Sequence, residues 1–259
     1  GIDGVISIGE LFMNTNEQQC KPHSAEYFGE SRDYWWNADF LELMAKRLSL
    51  HQAHAVLDVG CGIGHWGQLL SRVLSPSAQV TGIDREDIWI TQAEKRATAF
   101  GIGDRYHYQI ADVNALPFPN DHFDLVTCQT VLIHLKDPKH SLKEMLRVLK
   151  PGGTLLAAEP NNLSNRTVAS NLTEEMSIDE VMERIRLGLI IERGKKALGL
   201  GNNSIGDLIP GCIAELGGEN IEVYLSDKAS AFIPPYSSKE QQVNIQQTRD
   251  WLKRKFVGW

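Results

Sequence analysis

No segment of this chain is apolar for long enough to cross a bilayer, so neither a membrane span nor a membrane partner is expected. Positive charge is also short. The 26 Lys and Arg face 33 Asp and Glu, a net charge of -7, and the basic runs at 193–196 and 253–255 read as solvated helix faces. A nucleic-acid partner needs clustered cations to neutralise phosphates, and this balance excludes one. Cysteine is scarce: Cys20, Cys61, Cys128 and Cys212 show no C-x-x-C spacing, which fits reduced thiols in a cytoplasmic protein rather than disulfides. No cluster of His, Cys and acids has metal-ligand spacing, so no metal is expected. The triplets that open at Asn165, Asn171 and Asn202 match glycosylation acceptors, but they lack the secretory signal that would give them meaning. Oligomeric state is unreadable. A chain of 259 residues can hold one well-buried α/β domain and an accessory segment.

What the sequence does have is glycine at alternate positions in one turn. Val56-Leu57-Asp58-Val59-Gly60-Cys61-Gly62-Ile63-Gly64 joins a buried strand to a helix. Gly60 and Gly62 let backbone N–H groups approach a ligand where a Cβ would obstruct, and Gly64 lets the next helix pack close to the strand. The pattern D-x-G-x-G-x-G differs from the dinucleotide fingerprint in its last spacing and in the acid before the first glycine. A second strand over 79–83 stops at Asp84, twenty residues beyond Gly64, where a carboxylate can accept from two ribose hydroxyls. The bland alternative is a solvated loop acid or a helix cap. A third strand over 105–110 ends at Ala111-Asp112-Val113. There Asp112 can accept from an adenine amino group and the Val113 N–H can donate to the ring.

With these residues in place the chain resembles the class I S-adenosylmethionine-dependent methyltransferases, in particular the branch of small single-domain enzymes that act on metabolites. The resemblance is carried by residues 56–64, 80–84, 111–119, 123–135 and 148–160, the last including Leu149-Lys150-Pro151-Gly152-Gly153-Thr154. It implies S-adenosylmethionine as cofactor, with S-adenosylhomocysteine as product. The implied cofactor residues are Asp58, Gly60, Cys61, Gly62, Gly64, Asp84, Arg85, Asp112, Val113 and Gln129. It also implies a fourth strand over 123–129 whose end borders the methionine part of the cofactor.

Alternating strand and helix patterns predict a Rossmann-like, doubly wound, mostly parallel sheet. Trp36, Phe40, Met44 and Leu48 recur at helical spacing ahead of the first strand. Asp137 and Pro138 open a fourth helix with Leu142, Met145, Leu146 and Leu149 on one face. Residues 154–159 supply a fifth strand and 221–225 a sixth. The family's seventh has no evident sequence, so the C-terminal part is either truncated or folded differently before a helix over 241–256. The expected organisation is an N-terminal arm and helix at 1–52, the cofactor-binding core at 53–160, a helical insertion at 161–205, and completion of the core with a C-terminal helix at 206–259. Residues 1–12 precede Met13 and read as either an appended tag or an arm. Within the insertion, Ser177 and Glu180 have capping-box spacing, and Ile178, Val181, Met182, Ile185 and Leu189 share a helical face. That helix is either a lid at the carboxyl edge of the sheet or a packing element, and Gly201-Asn202-Asn203 reads as its hinge.

The expected chemistry is transfer of a methyl group to a small-molecule acceptor atom, O, N or S, by in-line displacement. A sulfonium methyl is already electrophilic, so the protein must mainly align the acceptor and exclude water. His134, one short turn beyond the fourth strand, is the best candidate base, though packing would equally explain a histidine there. His23 and His65 are lesser candidates. The aromatic run Tyr27, Phe28, Tyr34, Trp35 and Trp36 supplies acceptor-wall candidates, chiefly Tyr27, Tyr34 and Trp35, with core packing as the alternative. Two rivals stand beside this reading. Tyr224 and Lys228 match the Y-x-x-x-K of nicotinamide-dependent reductases, a pair that needs a helix, whereas the alternation around it is that of a strand. A non-catalytic cofactor-binding module is the second, disfavoured by an intact Asp58, glycine turn and Asp84.

Overall fold

The computed structural model describes residues 29–164, 173–229 and 233–253. The glycine-turn strand β1 (Ala55–Val59) is central, with β2 (Gln79–Asp84), β3 (Tyr106–Ile110), β4 (Phe123–Gln129) and β5 (Leu149–Ala158) completing a sheet of order β3-β2-β1-β4-β5. All pairings are parallel, with Val56 opposite Val80 on one side and Leu125 on the other. Parallel neighbours need crossovers, which α2 (His65–Leu70), α3 (Asp87–Ala99) and α4 (Pro138–Val148) help to make; α1 (Ala38–Arg47) precedes the sheet.

Successive residues of β1 face opposite ways, so two cores form. Leu57 and Val59 join Ile83, Leu142, Met145 and Val148 beneath α4. Val56 joins Leu41, Leu70, Leu74 and Val80 beneath α1 and α2. The expected helix faces hold: Phe40 and Met44 are buried on α1, and Asp137 caps α4 by accepting from the His140 N–H at 3.1 Å. Strand order reverses between β1 and β4, and a parallel sheet offers its ligand crevice at the carboxyl ends around such a switch point.

Two expectations need correction. The sheet has five strands among the described residues, not six or seven. Residues 221–225 belong to no strand among the described residues, and Val223 and Leu225 are 64% and 87% exposed. Alternation sets an extended backbone, but a strand also needs a ladder partner and a face to bury. Second, the insertion helix α5 runs Ile178–Ala197 behind the predicted capping box, with the Glu180 N–H donating to Ser177 Oγ and the Ser177 N–H to Glu180 Oε2. Its buried residues are Gly188, Glu192 and Lys195, while Ile178 and Met182 of the predicted apolar face are exposed. Beyond these, α6 (Ile209–Glu215) packs by α4 on the core, and α7 (Lys239–Lys253) lies against the 3-10 turn Gly29–Tyr34. Cys20, His23, Tyr27, Phe28, residues 1–12, the triplets at Asn165 and Asn171, and 254–256 of the predicted C-terminal helix lie outside the described residues.

Candidate cofactor and acceptor site

The turn after β1 is left-handed at all three glycines, with φ of +65° at Gly60, +52° at Gly62 and +85° at Gly64. A side chain would also be crowded at Gly60 and Gly64. A Cβ on Gly60 would come within 2.5 Å of Val131 Cγ2, and one on Gly64 within 2.3 Å of Gln68 Nε2. The turn is tied to the neighbouring strand, since Cys61 N–H donates to the Ile83 carbonyl at 2.8 Å and Gly62 N–H to Asp84 Oδ2 at 2.9 Å. The other Asp84 oxygen accepts from the Glu86 N–H at 3.1 Å. A carboxylate has about four acceptor positions, so two bonds leave Asp84 able to accept from ribose hydroxyls.

One cavity of about 2360 Å³ takes in the carboxyl edge of the sheet and runs on along β5 to its start at Leu149 and Lys150. Gly60, Gly62, Asp84, Arg85, Asp112, Val113, Gln129, Trp35 and His134 all line it. Asp112 Oδ1 accepts from the Asn114 N–H at 2.8 Å, which fixes the carboxylate at the end of β3. Asp58, Cys61 and Gly64 are not in the lining. Asp58 is 2% exposed and accepts from the Gly67 N–H at 3.0 Å, so it secures α2 beneath the turn. Burial pushes its pKa up to about 7, against the Gly67 bond, with the Asp84 charge adding to the rise. Cys61 is buried, its thiol pushed well up by desolvation. Tyr34 lines a smaller cavity with Trp35 and Trp36 instead. His65 is buried outside the main cavity, its Nδ1 3.0 Å from Asp33 Oδ1, and burial lowers its pKa despite that partner.

His134 closes a 3-10 turn, Leu132–His134, at the end of β4. Thr130 enters it with φ of +52°, an uncommon conformation for a β-branched residue, and its N–H donates to the Ala158 carbonyl at 3.1 Å. Glu159, at the end of β5, accepts from the N–H groups of Val131, Leu132 and Ile133 at 2.8, 3.0 and 3.3 Å. Burial pushes the Glu159 pKa up to about 7 against those three bonds. From the other side the Ile133 carbonyl accepts from the Asn202 N–H at 2.9 Å and from Lys195 Nζ at 3.3 Å. Lys195 also donates to Asn203 Oδ1, and burial brings its pKa down to about 8 in spite of Glu192. The insertion thus meets the site through its loop. Gly199, Leu200 and Asn203 line the cavity, and no residue of α5 does.

Sequence reasoning missed Glu159 and Thr130. Glu159 had a signal, an acid at a strand end like Asp84. Thr130 had none, because left-handed backbone at a threonine leaves no periodic trace. Tyr224 and Lys228 lie outside any helix, with Lys228 Nζ 3.0 Å from Glu240 Oε2, so the helical placement a reductase pair needs is lacking. The left-handed cradle, the strand-end acids and the apolar wall fit an adenosyl cofactor with an amino-acid arm.

Comparison with known proteins agrees with this geometry. The sequence matches the family described as "Methyltransferase domain" over residues 50–201. It is 34% identical over 118 residues to methyltransferase GfsG of Streptomyces halstedii, covering 46% of this chain and 42% of that protein. It is 36% identical over 121 residues to the ubiquinone/menaquinone biosynthesis C-methyltransferase UbiE of Shewanella halifaxensis, covering 45% and 48%. The chain therefore spans under half the length of these curated relatives. A solved structure from Methanococcus maripaludis superposes with a TM-score of 0.51 over 78% of this chain and 83% of its own. At 16% identity that likeness speaks to the fold alone. With the family match running over more than half of the sequence, and the carboxyl edge of the sheet arranged as above, the chain belongs to the class I S-adenosylmethionine-dependent methyltransferases.

Proposed function

We propose that the chain moves a methyl group from S-adenosylmethionine to a small-molecule acceptor bound in the same cavity. The observation that carries this reading is continuity: the glycine turn, Asp84 and Asp112 share one cavity with His134, Trp35 and the 199–203 loop.

In this reading Gly60, Gly62, Asp84, Asp112, Val113 and Gln129 hold the cofactor, whose sulfonium supplies an electrophilic methyl. Trp35 and the 199–203 loop orient the acceptor and exclude water. His134 takes the acceptor's proton where one must leave. O, N and S are the expected attacking atoms, and the relative named as a C-methyltransferase brings carbon into the set. A cytoplasmic setting suits free thiols at Cys61, Cys128 and Cys212. Among the described residues no helix is long and apolar enough to cross a membrane.

The test is incubation with methyl-labelled S-adenosylmethionine and panels of hydroxyl, amine, thiol and activated-carbon acceptors. Label should pass to at least one panel and release S-adenosylhomocysteine. Tight S-adenosylhomocysteine binding with no transfer to any panel or metabolite extract would leave a binding module.

A further inference from the structure

We propose that α5 is a dimer helix, whose outer face pairs antiparallel with the same helix of a second copy of this chain. The inference concerns the insertion and does not depend on what fills the cavity. It starts from a row of side chains that the fold leaves facing outward. Ile178, Met182, Ile185 and Leu189 recur at spacings of four, three and four, the repeat of a helix that packs lengthwise on another. The core side of α5 is instead Gly188, Glu192 and Lys195, about a quarter turn round the helix from that row. Ile178 is 81% exposed, Met182 56% and Leu189 38%. A surface helix ordinarily turns its apolar stripe to its own core. Single exposed apolar residues are normal, but a contiguous row marks an interaction site.

Charge identifies the occupant. Residues 174–183 hold five acids and no base, whereas residues 184–196 hold five bases and one acid, the buried Glu192. A helix whose halves carry opposite charge is complementary to itself reversed. Two copies related by a two-fold axis set each acidic half against the other's basic half, and the contact closes because both use the same patch. A parallel pair would oppose like halves, and an anionic lipid surface would repel the acidic half. The stripe also sets the register. With Ile178 of one copy opposite Leu189 of the other, Met182 meets Ile185. Asp179 then falls beside Arg186 of the other copy, twice by symmetry, and both are exposed along the edge of the stripe away from the core.

Four apolar side chains per copy are few beside the roughly 20–30 residues a side of a stable interface, so the expected dimer is weak, with a Kd on the order of 10 µM. No residue of α5 lines the cavity, so pairing does not occupy the site. The inner face of α5 holds the 199–203 loop on the Ile133 carbonyl through Lys195 and Asn203. Pairing the outer face therefore links the acceptor loops of two copies.

Sedimentation equilibrium of the full chain from about 1 to 500 µM, a range that brackets this Kd, tests the proposal. The wild type should pass from monomer to dimer. Met182→Glu puts a carboxylate into the seam and should raise the Kd by about 10-fold or more. Asp179→Arg alone and Arg186→Glu alone oppose like charges across the pair, and each should weaken the dimer by about 3- to 10-fold. The double exchange should bring the Kd back to within about twofold of wild type, which damage to the fold could not do. Circular dichroism should be unchanged throughout, since every substituted position is exposed. A wild type that stays monomeric to about 500 µM overturns the proposal, as does a dimer indifferent to Met182→Glu or one that the double exchange fails to restore. Binding of a monomeric chain to vesicles of phosphatidylserine and phosphatidylcholine would overturn it in favour of a membrane.

Discussion

Asp84 serves two masters in the folded chain, because the oxygen that would meet a ribose hydroxyl already accepts from Gly62. Removing it should therefore loosen the turn as well as delete acceptors. Asp84→Ala is expected to weaken S-adenosylhomocysteine binding by about 1.5–3 kcal/mol, the worth of hydrogen bonds to a charged group. Calorimetry reads this directly, and unchanged affinity would pass the ribose to Glu86. For His134 the expectation is a fall in turnover of about 100-fold in His134→Ala, with cofactor affinity kept. Normal turnover in that variant assigns the ring to packing. Asp84, Asp112 and His134 are legible in the sequence because each follows a strand end, where topology alone brings side chains to the ligand edge. Asp58 shows the limit of that logic. It belongs to the motif, yet its side chain points under α2, a direction set by β1 alternation that the glycine pattern overshadows.

At the scale of elements, the insertion shows how a helix can be predicted correctly and oriented wrongly. Its capping box is legible, but the sequence pattern ends at Leu189 and the helix runs on to Ala197. The packed stripe Gly188, Glu192 and Lys195 is not legible, because charged residues ordinarily mark a solvated face. Here they are buried because their partners, the Ile133 carbonyl and residue 203, arrive from elsewhere in the chain. Gly201 is the pivot of this contact. Its φ is +96°, and a Cβ there would fall 2.1 Å from the Ile133 carbonyl oxygen. Gly201→Ala should cost about 1–3 kcal/mol of stability, the range for strain at a special backbone position, measured by urea denaturation. Because the clash separates the 199–203 loop from the turn bearing His134, the variant should also raise acceptor KM while S-adenosylhomocysteine affinity holds. Equal changes in both would mean that the loop supports the whole site and not the acceptor side. Residues 221–225 fail for the complementary reason: their period of two is visible, but nothing in a local pattern reports whether a neighbour will be there to pair.

For the whole molecule, three acids give stability a shape in pH. Asp124 is held down at about 2: partial burial acts to raise it, but Lys150 and the Ala55 and His54 N–H groups outweigh that. A depressed carboxylate contributes stability above its unfolded pKa and loses it as pH falls from about 4 toward 2. Asp58 and Glu159 run the other way. Their folded pKa values near 7 mean that the native state holds protons the unfolded chain has released, so their contribution fades as pH rises from about 4 to 7. Urea midpoints should accordingly decline between pH 5 and pH 8, and Glu159→Gln should flatten that decline. A midpoint that rises over the same interval would show Glu159 ionised in the native state, held by its three N–H donors.

The strand order also governs how the chain reaches this state. Neighbours β1 and β2, β2 and β3, and β4 and β5 pair residues 24 to 29 positions apart, as in Ala55 with Gln79, Val80 with Tyr106 and Leu125 with Thr154. Across the central seam Val56 meets Leu125, 69 positions away. Loop-closure entropy makes that seam roughly 1 kcal/mol harder to close than its neighbours, and distant pairings are the slow step in folding. During synthesis β1, β2 and β3 emerge first, and the free edge of β1, with Val56, Leu57 and Val59, stays open until β4 follows. An unpaired apolar edge is a template for wrong partners. Substitutions along Leu125, Val126 and Cys128 should therefore be lost as insoluble chains during expression, before any defect in methyl transfer is measured.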